Sequence, residues 1–503
     1  MSTNASLADK AGVVVFARLV TTIMDITLAI VLVRLLTKGD FVVISFLLLV
    51  YETAKYLATL GFPDSVFYFF ERIGTNARAG FALQTAGILV GTALVAGLVM
   101  VGLVPWLPAL LSEWAPENVA MVGSLLPVMA LVAILEIPTW PVNNLMLAAD
   151  RARSASWYSL MNSALTFAAI IGPIALGYGL PVAIWCLLAY SVIRLLVSIV
   201  WMWRILPRFE TMPPRGMVRQ QVGFAIPIGL SALVARINRN ADKFIVSFFL
   251  PESIVAIYLI GATEIPLVKV IPFAVGSVLI SRFVQFQMDD KRDELRELWY
   301  KGIEKVSLIV LPLTFVFITF APEWMVLLFG EKMEAAAVPF RIYSLIILLR
   351  VTSYGSILQA FGDTKSVLRL SLSLLGLNVL FSVPATLYFG IIGTASAAVV
   401  ANYVNLGFTL RVIGRHMGLP WHQVLPLMAY ARILALAVGS AAIVFALKSV
   451  LMTEAGPRVI LLTYVPVYAA AFLLIGRRTG IVSDSDWGQL KSWIKLRFLF
   501  SGR

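Results

Sequence analysis

The sequence predicts an all-α polytopic membrane protein with about fourteen transmembrane helices, arranged as two parallel six-helix bundles followed by two C-terminal helices. Three observations predict this class. Of the 503 residues, 60% are hydrophobic and 13% are charged, which is too apolar for a soluble globular protein. The apolar runs are about 20 residues or longer, enough to cross about 30 Å of hydrocarbon. Lysine and arginine gather in the loops on one side of these runs.

Turn residues and charges divide the apolar runs into separate helices. The first half contains six predicted spans, at about residues 11–36, 41–62, 81–104, 119–147, 154–178 and 181–204. The second half contains six more, at about 219–249, 253–285, 300–329, 336–361, 365–389 and 391–413. Two further spans follow, at about 424–452 and 457–476.

These helices predict five regions of the chain. They are an N-terminal bundle (1–206), a cytoplasmic linker (207–218), a C-terminal bundle (219–415), two additional helices (416–480) and a tail (481–503). In the tail, Trp487, Leu490 and Trp493 lie among Lys491 and Lys495. This pattern predicts an amphipathic helix on the inner leaflet.

The loop charges predict the orientation. With the N-terminus inside, the cytoplasmic loops hold the basic clusters at 151–153, 204–219, 282–305 and 411–415, whereas the opposite loops hold few cations. The positive-inside rule therefore places both termini in the cytoplasm. The same loops explain the net charge of +13 by contact with anionic lipids, so no nucleic-acid partner is expected.

Metal and cofactor chemistry has little support in the sequence. Cys186 is the single cysteine, and His416 and His422 are the two histidines. We therefore expect neither a disulfide framework nor a metal site. No Gly-x-x-x-x-Gly-Lys-Ser/Thr motif is present, so no nucleotide hydrolysis and no cofactor are expected.

The two six-helix blocks resemble each other with a period of about 213 residues. At an inner turn, Leu147–Ser154 matches Gln359–Ser366, and further on Gly179 matches Gly390. Asp150 and Asp363 in these segments are expected to be turn and capping residues. Six spans separate equivalent positions, so the repeats are predicted to be parallel and related by an axis along the membrane normal.

A cluster of charges interrupts the seventh predicted span. Arg236, Arg239 and Lys243 are three and four residues apart and therefore share one helix face. Each cation costs roughly 2.5–3.5 kcal/mol near a bilayer centre, so we expect this face to line an anion-accepting cavity. In the alternative, residues 236–243 form an aqueous loop. That would leave 222–235 too short to span and would reverse the downstream charge bias.

Other ionisable residues inside predicted spans indicate further candidate sites. The cations are Arg18, Lys55 and Lys269, and the acids are Asp25, Glu52, Glu136, Asp242 and Glu264. Arg18 shares a helix face with Asp25, and Glu52 lies one turn from Lys55. Each pair is as consistent with a structural ion pair as with a functional site.

Two segments of the second half, Arg239–Tyr258 and Ala360–Ser366, together with the two six-helix halves and two extra helices, resemble the multidrug/oligosaccharidyl-lipid/polysaccharide exporter superfamily. The resemblance covers about residues 10–480 and is strongest to polysaccharide repeat-unit flippases. It implies alternating access of two bundles around a cationic cavity in the bacterial cytoplasmic membrane. The implied cargo is an undecaprenyl-diphosphate-linked oligosaccharide for O-antigen, exopolysaccharide or capsule. The implied partners are membrane lipids, a polysaccharide polymerase and a chain-length regulator.

The resemblance also implies roles for particular residues. The candidates for contact with the diphosphate or acidic sugars are Arg18, Lys55, Arg236, Arg239, Lys243 and Lys269. A proton- or sodium-coupled cycle would use a buried acid, with Asp25 first because it shares a face with Arg18, and with Glu52, Glu136, Asp242 and Glu264 as the other candidates.

Two alternative functions remain open at this point. A multidrug exporter of the same superfamily would be expected to have a cavity dominated by acids and aromatic rings. A membrane-embedded polysaccharide polymerase or glycosyltransferase would generally need a large outer loop or an acidic catalytic motif, and the predicted outer loops are short.

Overall fold

The computed structural model describes residues 7–70, 72–206, 210–214, 216–263, 271–272, 275, 279, 282–283, 285–451 and 455–484. Within these ranges the regular structure is entirely helical. Among the described residues, twelve helices are long and apolar enough to cross a membrane. The chain is thus an all-α multi-pass membrane protein, as predicted.

The helices from the N-terminus to residue 261 follow the predicted spans, with some of them broken. They are α1 (Leu7–Leu35), α2 (Lys38–Thr59), α3 (Phe62–Phe69), α4 (Arg78–Gly102), α5 (Leu107–Leu110), α6 (Pro116–Glu136), α7 (Pro141–Ala148), α8 (Ala152–Ala175), α9 (Gly179–Ile205), α10 (Met217–Phe249) and α11 (Glu252–Gly261). Short 3₁₀ turns lie at Thr75–Ala77, Val104–Trp106 and Ile137–Thr139.

Two predicted spans are interrupted for identifiable reasons. The second ends at Leu60 and Gly61, which adopt positive φ angles of 38° and 76° before α3 begins. The fourth is broken by the 3₁₀ turn Ile137–Thr139, where Pro138 and Pro141 each lack a backbone N–H to donate. Hydropathy alone does not detect such breaks, because the apolar composition continues through them.

The remaining helices are α12 (Arg292–Thr319), α13 (Ala321–Phe329), α14 (Ala337–Ser344), α15 (Tyr354–Ala360), α16 (Thr364–Met417), α17 (Leu427–Leu451) and α18 (Pro457–Arg478). α16 contains a break at Gly390 (φ 58°, ψ −143°), where the predicted spans 365–389 and 391–413 meet. The predicted span 253–285 is described only in part, and most of the tail, from 485 onward, lies outside the described residues. The count of about fourteen therefore stays a prediction.

Contacts group the chain into two compact units, Met1–Ala256 and Ile257–Arg503. α10 belongs to the first unit because it packs against α2 and α3. The five-region division predicted from the sequence, with its boundary at 207–218, stays a prediction.

The predicted repeat is visible in the backbone. Asp150 and Gly362 occupy matching positions and both have a positive φ, of 57° and 73°. In each turn the next residue donates its N–H to the carbonyl five residues earlier. Gly179 and Gly390 match in the same way, with φ angles of 80° and 58°. The first pair of matching positions therefore shares the same turn, and the second pair shares a positive φ.

Asp363 has the capping role expected of it. Its Oδ1 accepts the backbone N–H of Ser366 at 3.0 Å, and its Oδ2 lies 2.9 Å from Nε2 of His416. Hydrogen bonds from Ser366 and His416 lower the pKa of Asp363 to about 2. The side chain is thus an ionised helix cap at physiological pH.

α10 is continuous through 236–243, so the alternative of an aqueous loop there is wrong. It crosses the turn between α2 and α3 at very short range. A Cβ atom on Gly229 would lie 2.0 Å from the carbonyl carbon of Leu60, and one on Gly61 would lie 2.5 Å from the carbonyl oxygen of Ala225. Glycine at both positions allows this approach.

We expect Gly229→Ala to lower the thermal stability of the purified protein substantially. The added methyl group meets backbone atoms that cannot rotate away, and overpacking of this kind costs about 1–3 kcal/mol or more. The matched control is Gly223→Ala on the same helix, where nothing lies within 4 Å of the new Cβ. That change should be neutral or stabilising, since alanine favours helix by about 1 kcal/mol. Equal melting temperatures for the two variants would contradict the close crossing.

Candidate functional site

A cavity of about 640 Å³ lies inside the first unit, lined by residues of α1, α2, α7, α8, α9 and α10. This volume is in the range of pockets that hold drug-sized ligands, about 300–1,000 Å³. Its charged lining residues are the cations Lys55, Arg194 and Arg236 and the acids Asp25 and Glu52. The rest of the wall is rich in amides, hydroxyls and aromatic rings. It is a polar chamber within an otherwise apolar bundle.

Glu52 joins two cations that come from different helices. One carboxylate oxygen accepts a hydrogen bond from Lys55 Nζ, one turn further along α2, and the other accepts from the Arg236 guanidinium of α10 at 3.1 Å. The Glu52 and Arg236 side chains are 28% and 25% exposed, so this pair faces the cavity. One carboxylate balances only one cation, and the group of three retains a formal charge of +1.

Aromatic rings surround the Lys55 ammonium group. Its Nζ lies 4.4 Å from the ring centre of Trp140 and 5.1 Å from that of Tyr51. A ring at this distance stabilises a cation by about 0.5–2 kcal/mol, depending on how far water is excluded. The rings therefore stabilise the ammonium group at the cavity wall.

Behind this wall, Glu136 is buried and has three protein partners. Its carboxylate accepts hydrogen bonds from Tyr51 Oη at 2.6 Å, from Ser191 Oγ at 3.0 Å and from Arg194 at 3.0 Å. This arrangement orients the Arg194 guanidinium at the cavity wall. It favours a structural role for Glu136 over the ion-coupling role considered from the sequence.

Arg194 lines the cavity but was not among the site residues predicted from the sequence. The signal was present, because an arginine near the middle of an apolar span is a candidate site in any membrane helix. A second missed feature is the face of α8 that carries Tyr158, Ser159, Asn162, Ser163 and Thr166. These residues recur at intervals of three and four, the spacing of one helix face.

An ion pair between Arg18 and Asp25, which was one of the two interpretations left open by the sequence, is not found. Asp25 lines the cavity, but Arg18 is exposed and is not among the lining residues. Seven residues separate them, about 10.5 Å along a helix, so a shared face does not bring their charges together. Within the described part of the chain, Asp25 has no ion-pair partner.

The cationic face expected on α10 is only partly at this cavity. Arg236 lines it, whereas Arg239 and Lys243 are not among its described lining residues. Asp242 is 1% exposed, and its Oδ1 accepts the backbone N–H of Lys243 at 2.9 Å. The remaining two candidates, Glu264 and Lys269, lie outside the described residues.

Comparison with protein families matches residues 31–338 of the chain to the family described as "Polysaccharide biosynthesis protein". Comparison with curated protein sequences gives no match.

Among solved structures, the chain is similar to the lipid II flippase MurJ in an inward closed conformation, with 13% identity and a TM-score of 0.72 over 93% of this chain and 99% of that one. An inward-facing multidrug resistance transporter of the MATE family matches with 15% identity and a TM-score of 0.61, over 79% of this chain and 96% of that one. A transporter of the MOP superfamily from Pyrococcus furiosus matches with 14% identity and a TM-score of 0.55, over 81% of this chain and 94% of that one. At these identities the likeness shows the fold, which this chain shares with these three membrane transport proteins.

Proposed function

Because this chain belongs to the polysaccharide biosynthesis protein family, we propose that it is a flippase for undecaprenyl-diphosphate-linked oligosaccharide repeat units. The cargo would move from the inner to the outer leaflet of the bacterial cytoplasmic membrane, with both termini of the protein in the cytoplasm. The single observation that carries the proposal is the group Lys55, Glu52 and Arg236 at the cavity wall.

The chemistry of this group suits a lipid diphosphate. Phosphate oxygens form charge-assisted hydrogen bonds with ammonium and guanidinium groups, and arginine can bind them in a bidentate manner. In the structure, the Glu52 carboxylate accepts hydrogen bonds from both cations, Lys55 and Arg236. An entering diphosphate would compete with the Glu52 carboxylate for these cations and would also balance the positive charge that Glu52 leaves uncompensated. The prenyl tail would stay in the surrounding lipid.

Energy coupling would use an acid that lines the cavity. Asp25 lines the cavity without an ion-pair partner among the described residues, whereas Glu52 and Glu136 are both held by cations. This supports Asp25 as the acid that would exchange a proton or sodium ion. Association with a polymerase and a chain-length regulator stays a prediction from the resemblance.

The test is transport by the purified full-length protein in proteoliposomes. A fluorescent prenyl-diphosphate oligosaccharide should cross from one leaflet to the other at a rate well above that of protein-free vesicles. The multidrug alternative predicts uptake of an organic cation driven by a proton or sodium gradient. If the protein moved the organic cation and ignored the lipid-linked sugar, the flippase proposal would be wrong.

A further inference from the structure

The α8 side of the cavity differs chemically from the α2 and α10 side. It carries no charge of its own, and its lining side chains are hydroxyls, amides and aromatic rings, with Asn162 near the centre. Together with Asn143 from α7, it forms a surface that we call the α8 wall. The α8 wall therefore lies in the same cavity as the cations Lys55 and Arg236.

Neighbouring residues orient the two amides of the α8 wall. Tyr190 of α9 donates its hydroxyl hydrogen to Asn162 Oδ1 at 2.7 Å, and Ser159 donates to Asn143 Oδ1 at 3.3 Å. Both carbonyl oxygens are thereby engaged. Neither Nδ2 group has a hydrogen-bond partner within the described part of the chain. The wall therefore offers N–H donors that still need acceptors.

The α8 wall is also held firmly in place. Tyr158 of α8 and Ser198 of α9 share a buried hydrogen bond of 2.7 Å between their hydroxyls. With the bond from Tyr190, α9 holds α8 at two positions, Tyr158 and Asn162, which lie one turn apart on α8. Donors fixed in this way bind a ligand without first losing rotational freedom, which makes them effective in selection.

We propose that the α8 wall is the subsite for the sugar that is bonded directly to the diphosphate, and that it selects sugars presenting acetamido carbonyl and hydroxyl oxygens. This rests on the proposed function, because the diphosphate on Lys55 and Arg236 would bring that sugar into the same cavity. Asn162 and Asn143 would donate to the acceptor oxygens. Trp140, which lies beside Lys55 and lines the cavity, supplies an apolar ring face next to the sugar.

Equilibrium binding to the full-length protein in nanodiscs tests this with two ligands, a prenyl diphosphate without sugar and the same lipid carrying an N-acetylglucosamine disaccharide. Asn162→Leu should weaken binding of the glycosylated lipid roughly tenfold, the equivalent of one lost hydrogen bond that leaves a polar group unmatched. Its affinity for the sugar-free lipid should stay within about twofold.

Two further variants keep the test independent of folding. Tyr190→Phe leaves every lining residue in place and removes the hydroxyl that orients Asn162. It should weaken binding of the glycosylated lipid only, and by a smaller factor than Asn162→Leu does. Asn402→Leu is the matched control, because Asn402 donates to Ala398 of its own helix at 2.8 Å in the second unit. It should change neither affinity.

The outcomes separate the two levels of the proposal. The sugar subsite would be overturned if Asn162→Leu and Tyr190→Phe weakened binding of both lipids equally. It would also be overturned if the two variants left the affinity for the glycosylated lipid unchanged. Neither result would contradict the proposed diphosphate site. A wild-type protein that bound neither lipid would instead overturn the proposed function itself, and the subsite with it.

Discussion

Arg236→Ala and Lys55→Ala are each expected to reduce the initial rate of glycolipid flipping by roughly 30-fold or more. Removing one partner from a desolvated, hydrogen-bonded charge pair typically costs 2–5 kcal/mol, and each 1.4 kcal/mol corresponds to about a factor of ten. In either variant Glu52 would also neutralise the one cation left, so the group would lose its excess positive charge. The measurement is the flipping rate in proteoliposomes with equal amounts of reconstituted protein.

The matched control for this prediction is Arg219→Ala. Arg219 lies in the first turn of the same helix as Arg236, is exposed and does not line the cavity. It should transport at the wild-type rate. Arg236→Lys tests the geometry separately, because it keeps the charge and loses the planar fork that binds a phosphate in a bidentate manner. Wild-type rates in Arg236→Ala and Lys55→Ala would contradict the assignment of the phosphate site.

Glu136→Ala is expected to destabilise the protein by about 3–5 kcal/mol. The change leaves the Arg194 guanidinium partly buried without its carboxylate, and removing one partner of a buried pair has a cost of this size. It also removes the acceptor of the Tyr51 hydroxyl hydrogen, whereas Ser191 can still donate to the Leu187 carbonyl at 2.9 Å. The measurement is thermal or denaturant unfolding of the purified variant, compared with the wild type in the same detergent.

The double variant Glu136→Leu/Arg194→Met provides the control. It removes both charges together, so it should be less destabilising than Glu136→Ala alone. Glu136→Gln distinguishes the structural role from ion coupling. If that variant kept its stability and lost only the ion dependence of transport, Glu136 would be a coupling residue and the structural interpretation would be wrong.

The amino-acid sequence was sufficient to predict the fold class and the approximate positions of most of the described helices. Lipid offers no hydrogen bonds to the backbone, so an apolar run of sufficient length has to be helical, and this information is local. The same holds for the continuity of α10 through 236–243 and for the matching turns at Asp150 and Gly362, which the structure reproduces.

Which side chains meet in the folded protein could not be predicted from the sequence. The sequence placed Arg236, Arg239 and Lys243 on one face, but only Arg236 lines the cavity, and it does so beside Glu52, 184 residues earlier in the chain. Arg194 and the α8 wall join the same chamber without any pattern that links them to Arg236. The physical reason is that the rotation and crossing of each helix depend on contacts between distant segments. The approach of Gly229 to the turn at Leu60 is such a contact, and a hydropathy profile does not predict it.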